Sequence, residues 1–135
     1  MRELKTGVIP SQEQLMRLYE DAGWTAYTMD LERLARAVGK SNSIYTVWEE
    51  ETLVALLRTV GDGETILYVQ DILVLKSHQR RGIGKTLLTR ALEDNPSVRQ
   101  KVLMTDDLPE TAAFYRACGL RPCGEYGGVA FCRYD

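Results

Sequence analysis

The chain has 135 residues, 44% hydrophobic and 27% charged, with a formal net charge of -2. That length predicts one domain over residues 1–135, with a core that needs neither disulfide nor structural metal. No apolar run approaches the ~18–20 residues of a membrane-spanning helix, and a mildly acidic chain lacks the broad basic surface of a non-specific nucleic-acid binder.

Arg2 to Ile9 reads as a first strand closed by Pro10. Ser11 with Gln14 makes a capping-box pattern, and Leu15, Met16, Leu18 and Tyr19 give a helical stripe that stops near Gly23. Asp30 to Val38 fits a second helix, with Leu31, Leu34 and Ala35 on one face and Gly39 as its stop. Then the period changes. Ser43 to Trp48 and Thr52 to Val60 read as a hairpin about the turn Glu49-Glu50-Glu51. Gly61-Asp62-Gly63 turns the chain into a long apolar strand, Thr65 to Leu75. Gly82 to Glu93 is a helix, Val102 to Thr105 a short strand, and Glu110 to Ala117 a helix closed by Gly119. Two last strands are expected at Arg121 to Glu125 and Val129 to Tyr134, joined by Gly127-Gly128. The sum is an α+β fold, a mixed sheet with helices on its faces.

Cys118, Cys123 and Cys132 are an odd count, and Met1 to Lys5 leads into no apolar signal core. Reduced thiols and a cytoplasmic location are the expectation. The one histidine, His78, lies far from the cysteines, so no metal site is expected.

The stretch from Ile72 to Leu88 carries the chemistry. An apolar strand runs into the basic turn Gln79-Arg80-Arg81-Gly82-Ile83-Gly84-Lys85-Thr86, which opens a helix. Glycines there let backbone N–H groups approach an anion at the positive helix end, and three cations reverse the sign of an acidic chain. A phosphate-bearing ligand is one reading; an ordinary turn with solvated cations is the other. Two nucleotide loops fail on spacing. A P-loop needs Gly where Gln79 stands, and a Rossmann fingerprint needs Gly where Leu87 stands.

The segment Gln79-Arg80-Arg81-Gly82-Ile83-Gly84 resembles the pyrophosphate loop of the GNAT N-acetyltransferase family. Thr111-Ala112-Ala113-Phe114-Tyr115-Arg116-Ala117-Cys118-Gly119-Leu120 resembles a second motif of that family, with Leu120 for its usual Phe. The resemblance implies a mixed, mainly antiparallel sheet splayed between the long strand and the Val102–Thr105 strand. Acetyl-CoA would lie in that cleft. Its pantetheine arm would pair with backbone of Ile72, Leu73 and Val74, and its pyrophosphate would rest on Gln79, Arg80, Arg81, Gly82, Ile83, Gly84, Lys85 and Thr86, with Phe114 also at the cofactor. One departure stands out: the family's Asn falls at Leu108 here, with Asp107 beside it.

The implied reaction is direct attack of an amine on the thioester, within a ternary complex. Tyr115 occupies the family's general-acid position; a phenol near ~10 would protonate a thiolate near ~8.5 uphill by about 2 kcal/mol. The Val74 N–H is the expected oxyanion donor. Alternation along the long strand puts Tyr68, Gln70 and Ile72 on one face and Asp71 on the other, and the resemblance turns the Tyr68/Gln70 face to the acceptor. Neither is a good base, so deprotonation would run through ordered water or use Asp71 across a bulge. Trp24 and Tyr27 are expected at the acceptor, where aromatic faces suit a cationic amine. Tyr45 and Trp48 are expected in the core. The acceptor could be a polyamine, an amino-acid amine, an aminoglycoside, or a protein N-terminus or lysine. A non-catalytic acyl-CoA sensor is the alternative function. Expected self-association is a homodimer through the final strands.

Overall fold

Alternation and helical stripes decide which side of each element turns inward, and the computed structural model, which describes all 135 residues, shows what those sides meet. The elements are β1 (Arg2–Thr6), α1 (Gln12–Asp21), α2 (Thr25–Thr28), α3 (Leu31–Gly39), β2 (Ser43–Glu49), β3 (Thr52–Gly61), β4 (Ile66–Val74), α4 (Ile83–Glu93), β5 (Gln100–Leu103) and α5 (Pro109–Ala117). They fall into two compact units, residues 1–104 and residues 105–135.

The first unit holds the sheet, in the order β1-β2-β3-β4-β5. Every pairing is antiparallel except β4 with β5, which is parallel. On one face, Leu15, Leu18 and Tyr19 of α1 and Leu34 and Val38 of α3 pack on Ile44, Trp48, Leu53, Leu56 and Leu73. The other face is covered by α4 through Ile83, Leu87, Leu88 and Ala91, all buried. Ser11 completes the expected capping box with Gln14 in both directions, and Asp30 caps α3 by accepting from the Arg33 N–H. Tyr45 and Trp48 are buried, as expected of core aromatics.

Where the chain departs from its periodicity, a local cause is visible. The first strand ends at Thr6 because Gly7 turns left-handed, φ 73°. The short strand spans Gln100–Leu103 rather than Val102 to Thr105, set by its register on Ile66 to Val69. Helix α2 is only four residues long, too short to leave a stripe.

The second unit holds α5 and a 3₁₀ turn at Cys123–Tyr126. The two final strands are absent. Gly127, left-handed at φ 83°, closes the turn, and the Gly128 N–H bonds the Cys123 carbonyl. Glu125 pairs with both Arg116 and Arg121, which ties the turn to the end of α5. Residues 128–135 follow without regular structure. A period-2 pattern supplies side chains for a strand, but a strand also needs a ladder partner.

Candidate active site

β4 has two different halves. Ile66 to Val69 pair with Gln100 to Leu103 of β5, and there the ladder stops. Gln70 to Val74 continue along β3 alone. The Leu75 N–H bonds the Val54 carbonyl, so by antiparallel alternation Leu73 also turns its backbone groups to β3. Ile72 and Val74 turn theirs to the open side. Of the three expected residues, Leu73 thus directs its backbone groups along the β3 ladder, and Ile72 and Val74 direct theirs away from it. The Val74 carbonyl already accepts the Gln79 side-chain amide at 3.2 Å, leaving the Val74 N–H and both groups of Ile72.

Beyond Val74 the chain is pinned from two sides. The Lys76 N–H donates to Asp21 at 2.8 Å, and His78 Nε2 lies 2.7 Å from Glu49 Oε1. The His78 hydrogen bond holds the Glu49 carboxyl below its ordinary range. Arg80 (φ 63°) and Gly82 (φ 79°) are both left-handed and turn the chain sharply into α4. Only glycine takes this conformation without strain, which is why Gly82 can be the N-cap. No side chain caps α4, so the N–H groups of its first turn remain for an anion. The Thr86 hydroxyl and N–H both donate back to the Gly82 carbonyl, at 2.9 and 3.0 Å. Arg80, Arg81 and Lys85 are exposed around this helix end. A cavity of about 200 Å³ borders Arg81, Gly82 and Thr86. A larger one, about 380 Å³, lies by Tyr45, Arg90 and Asp94 and touches neither sequence motif.

Asp71 is where the structure departs most from alternation. Arg58 pairs with Asp71 and Thr59 with Val69, which leaves Gln70 as a bulge. One extra residue reverses the faces beyond it. Asp71 therefore lies on the α1 side with Gln70, not opposite it. Its carboxylate is 2% exposed and accepts from Arg58 Nε at 2.5 Å, Tyr19 at 2.8 Å and Tyr27 at 3.1 Å. The Tyr27 oxygen in turn accepts from the Gln70 amide at 3.2 Å. Burial and the Asp71 charge raise both phenols above their ordinary pKa. Trp24 packs against Tyr19 and Tyr27, with ring centroids 5.9 and 6.0 Å away. Trp24, Tyr27, Gln70 and Asp71 thus form one cluster, while Tyr68 is half-buried further along β4.

Arg58 and Tyr19 are the members that the sequence reading left out. A signal was present: Arg58 and Asp71 are the lone charges in two adjacent apolar strands, and such charges are buried only when paired.

Tyr115 lies on α5 in the second unit, edge-on to Phe114 with centroids 5.0 Å apart. Burial raises its pKa and a hydrogen bond from the Thr105 side chain opposes the rise. Leu108 is the N-cap of α5 and offers it no side-chain bond.

A family model described as the acetyltransferase (GNAT) family matches residues 8–120. A GNAT-family acetyltransferase from Streptococcus pneumoniae TIGR4 is similar in structure at 31% identity and a TM-score of 0.87, over 100% of this chain and 98% of that one. An aminoglycoside acetyltransferase from an uncultured soil metagenomic sample, solved with sisomicin, shares the fold at 18% identity and a TM-score of 0.71, over 99% and 95% of the two chains. A curated protein of Gibberella zeae, provisionally named an acetyltransferase, is 32% identical over 85 residues, 61% of this chain. The match spans 45% of that relative's length, a little under half.

Proposed function

Since the chain belongs to the GNAT acetyltransferase family, we propose that it moves an acetyl group from acetyl-CoA to a primary amine by direct attack. One observation carries the reading. The open half of β4, with both backbone groups of Ile72 and the N–H of Val74 unspent, runs directly into an uncapped, basic helix N-terminus. An extended amide-bearing arm ending in a pyrophosphate has that same sequence of needs, so the residues present fit acetyl-CoA. When bound, it supplies an activated acetyl thioester.

The chain's own groups take these roles. Ile72 and Val74 hold the arm by backbone bonds, and the Val74 N–H donates to the acyl oxygen as negative charge grows there. The first turn of α4 receives the pyrophosphate, with Arg80, Arg81 and Lys85 around it. Phe114 packs beside Tyr115, and the Tyr115 hydroxyl holds the proton that the departing thiolate needs. Its raised pKa keeps that proton in place at neutral pH.

On the acceptor side, hydrogen-bond polarity is informative. Arg58 can only donate, and both Asp71 oxygens accept: Oδ2 from Arg58 and Tyr19, Oδ1 from Tyr27. Tyr27 spends its proton on Asp71, which leaves its oxygen as an acceptor. Gln70 spends an amide proton on Tyr27 and keeps its carbonyl oxygen as an acceptor. Two acceptors beside the Trp24 ring suit an ammonium or amine. Asp71 already receives three donors, so it orients Tyr27 rather than taking the amine proton itself, and that proton leaves through water at Tyr27 and Gln70.

Gly84→Asp places a side chain and a negative charge at the helix end. Calorimetry is expected to show acetyl-CoA affinity down at least about 100-fold, several kcal/mol, with the fold intact by circular dichroism. Release of free CoA across a panel of amines then separates an enzyme from a sensor. Unchanged affinity in the variant rejects the loop as the binding site; tight binding with no CoA release from any amine rejects the enzyme.

A further inference from the structure

His78 is the only histidine of the chain, and both of its ring nitrogens are engaged. Nε2 lies 2.7 Å from Glu49 Oε1 at the end of β2, and Nδ1 lies 2.7 Å from the Ser77 hydroxyl. The side chain is 15% exposed, so water has little access to the ring. Its two partners differ in what they can do. A carboxylate only accepts, so Nε2 keeps its proton; a hydroxyl both accepts and donates, so it serves Nδ1 with or without a proton there. The ring therefore holds one proton or two with neither bond lost. The Glu49 contact also joins two strained turns. Glu50 (φ 55°) and Arg80 (φ 63°) are the two non-glycine residues with left-handed backbone. One follows Glu49, and the other lies two residues after His78. Such backbone persists where its surroundings over-determine it.

We propose that His78 tunes the anion site of the α4 turn: it gains a proton in place, and the added charge strengthens acetyl-CoA binding as pH falls. The inference rests on the acetyl-CoA reading above and adds its proton dependence. Histidine is the side chain whose charge ordinarily changes between pH 5 and 8, and His78 precedes Gly82, the N-cap of α4, by four residues. Protonation adds a fourth cation to Arg80, Arg81 and Lys85 and offsets the charge of Glu49. Because both bonds survive in either state, the ligand reads the charge and not a movement. The other charges around the ring are Arg2 and the N-terminal amine, which act on Glu49 from the β1 side, Glu50 and Glu51 in the β2–β3 turn, Asp21 of α1, which holds the Lys76 N–H, and Lys76 itself. Among such groups only an α-amino group ordinarily changes charge near neutral pH. A unit charge within about a Debye length of a diphosphate is worth a few-fold in affinity. By linkage, a ligand that prefers the protonated ring also holds that proton more tightly once bound.

Calorimetry with 3′-dephospho-acetyl-CoA isolates the effect, since its diphosphate keeps its charge from pH 6 to pH 8. Wild-type affinity is expected to rise at least about threefold over that interval as pH falls. His78→Gln keeps a donor for Glu49 and cannot gain the charge. It should match wild type at pH 8 and show at pH 6 only the shallow slope of the N-terminal amine, which both proteins share. A second measurement needs no variant: a lone histidine gives one ring C2-proton resonance, whose titration midpoint should move to higher pH when the ligand is saturating. Equal pH slopes in wild type and His78→Gln overturn the proposal, as does a midpoint that the ligand leaves in place. Failure of wild type to bind the ligand at any pH overturns the acetyl-CoA reading itself, and this inference with it; binding with no His78 dependence overturns this inference alone.

Discussion

A buried carboxylate with three donors is a commitment that the molecule cannot relax locally. Asp71 is held by Arg58, Tyr19 and Tyr27, and breaking one side of a buried ion pair costs about 3–5 kcal/mol because the other charge is stranded. Arg58→Met is expected to lower unfolding stability by about that amount in a urea titration. Adding Asp71→Leu removes the stranded charge and should recover at least half of the loss; a double variant as unstable as the single one would refute the stranded-charge account. Tyr115 is the opposite case, a residue whose worth should be kinetic. Tyr115→Phe keeps the edge-on contact with Phe114 and removes one proton. General acid catalysis is typically worth 10²–10⁴-fold, so kcat for a good acceptor should fall by about that factor with acetyl-CoA affinity unchanged. A fall under about threefold assigns Tyr115 to packing, and the thiolate then takes its proton from water.

Between elements, the β3–β4 turn sets the register on which the site depends. A Cβ at Gly61 would stand 2.2 Å from the Ile66 carbonyl oxygen, a contact that backbone cannot yield to cheaply. Asp62 fills the turn by accepting from the Thr65 hydroxyl and from the N–H groups of Thr65, Glu64 and Ile66, and these bonds hold its carboxyl far below the ordinary range. Gly61→Ala should destabilise by about 3 kcal/mol, the upper part of the usual overpacking range. Gly63→Ala, where nothing lies within 4 Å, should cost only the roughly 1–2 kcal/mol of its left-handed backbone. Equal losses in denaturant midpoints would mean that the close approach is not limiting. Most of this architecture was legible beforehand: the capping box at Ser11, the turn at Gly61 to Gly63 and the Gly82 break all rest on short-range chemistry. The bulge at Gln70 entered only as an alternative by which Asp71 could serve the acceptor, because counting by twos assumes an unbroken ladder, and that one residue moved Asp71 to the other face. The last strands were misread for a related reason: Val129 to Tyr134 has a strand's side chains, but a strand also needs a ladder partner, and no ladder includes this segment.

At the scale of the molecule, a chain of net charge -2 concentrates three exposed cations at one helix end. Ligand binding there should appear in the stability of the whole fold, because anything that binds only the native state shifts unfolding by mass action. At acetyl-CoA concentrations about 100 times Kd the gain is ~2.7 kcal/mol. For a domain of this size, at about 3–4 °C per kcal/mol, Tm should rise by roughly 8–11 °C. Part of that gain is electrostatic, since Arg80, Arg81 and Lys85 face solvent. Screening shortens from about 10 Å in 0.1 M salt to ~3 Å in 1 M, so at fixed ligand concentration the shift should shrink as salt rises. Pantetheine, which lacks the phosphates, should give a small shift that salt barely changes. If pantetheine and acetyl-CoA shift Tm equally at the same concentration and respond to salt alike, the basic turn contributes nothing, and the affinity resides in the open edge of β4 alone.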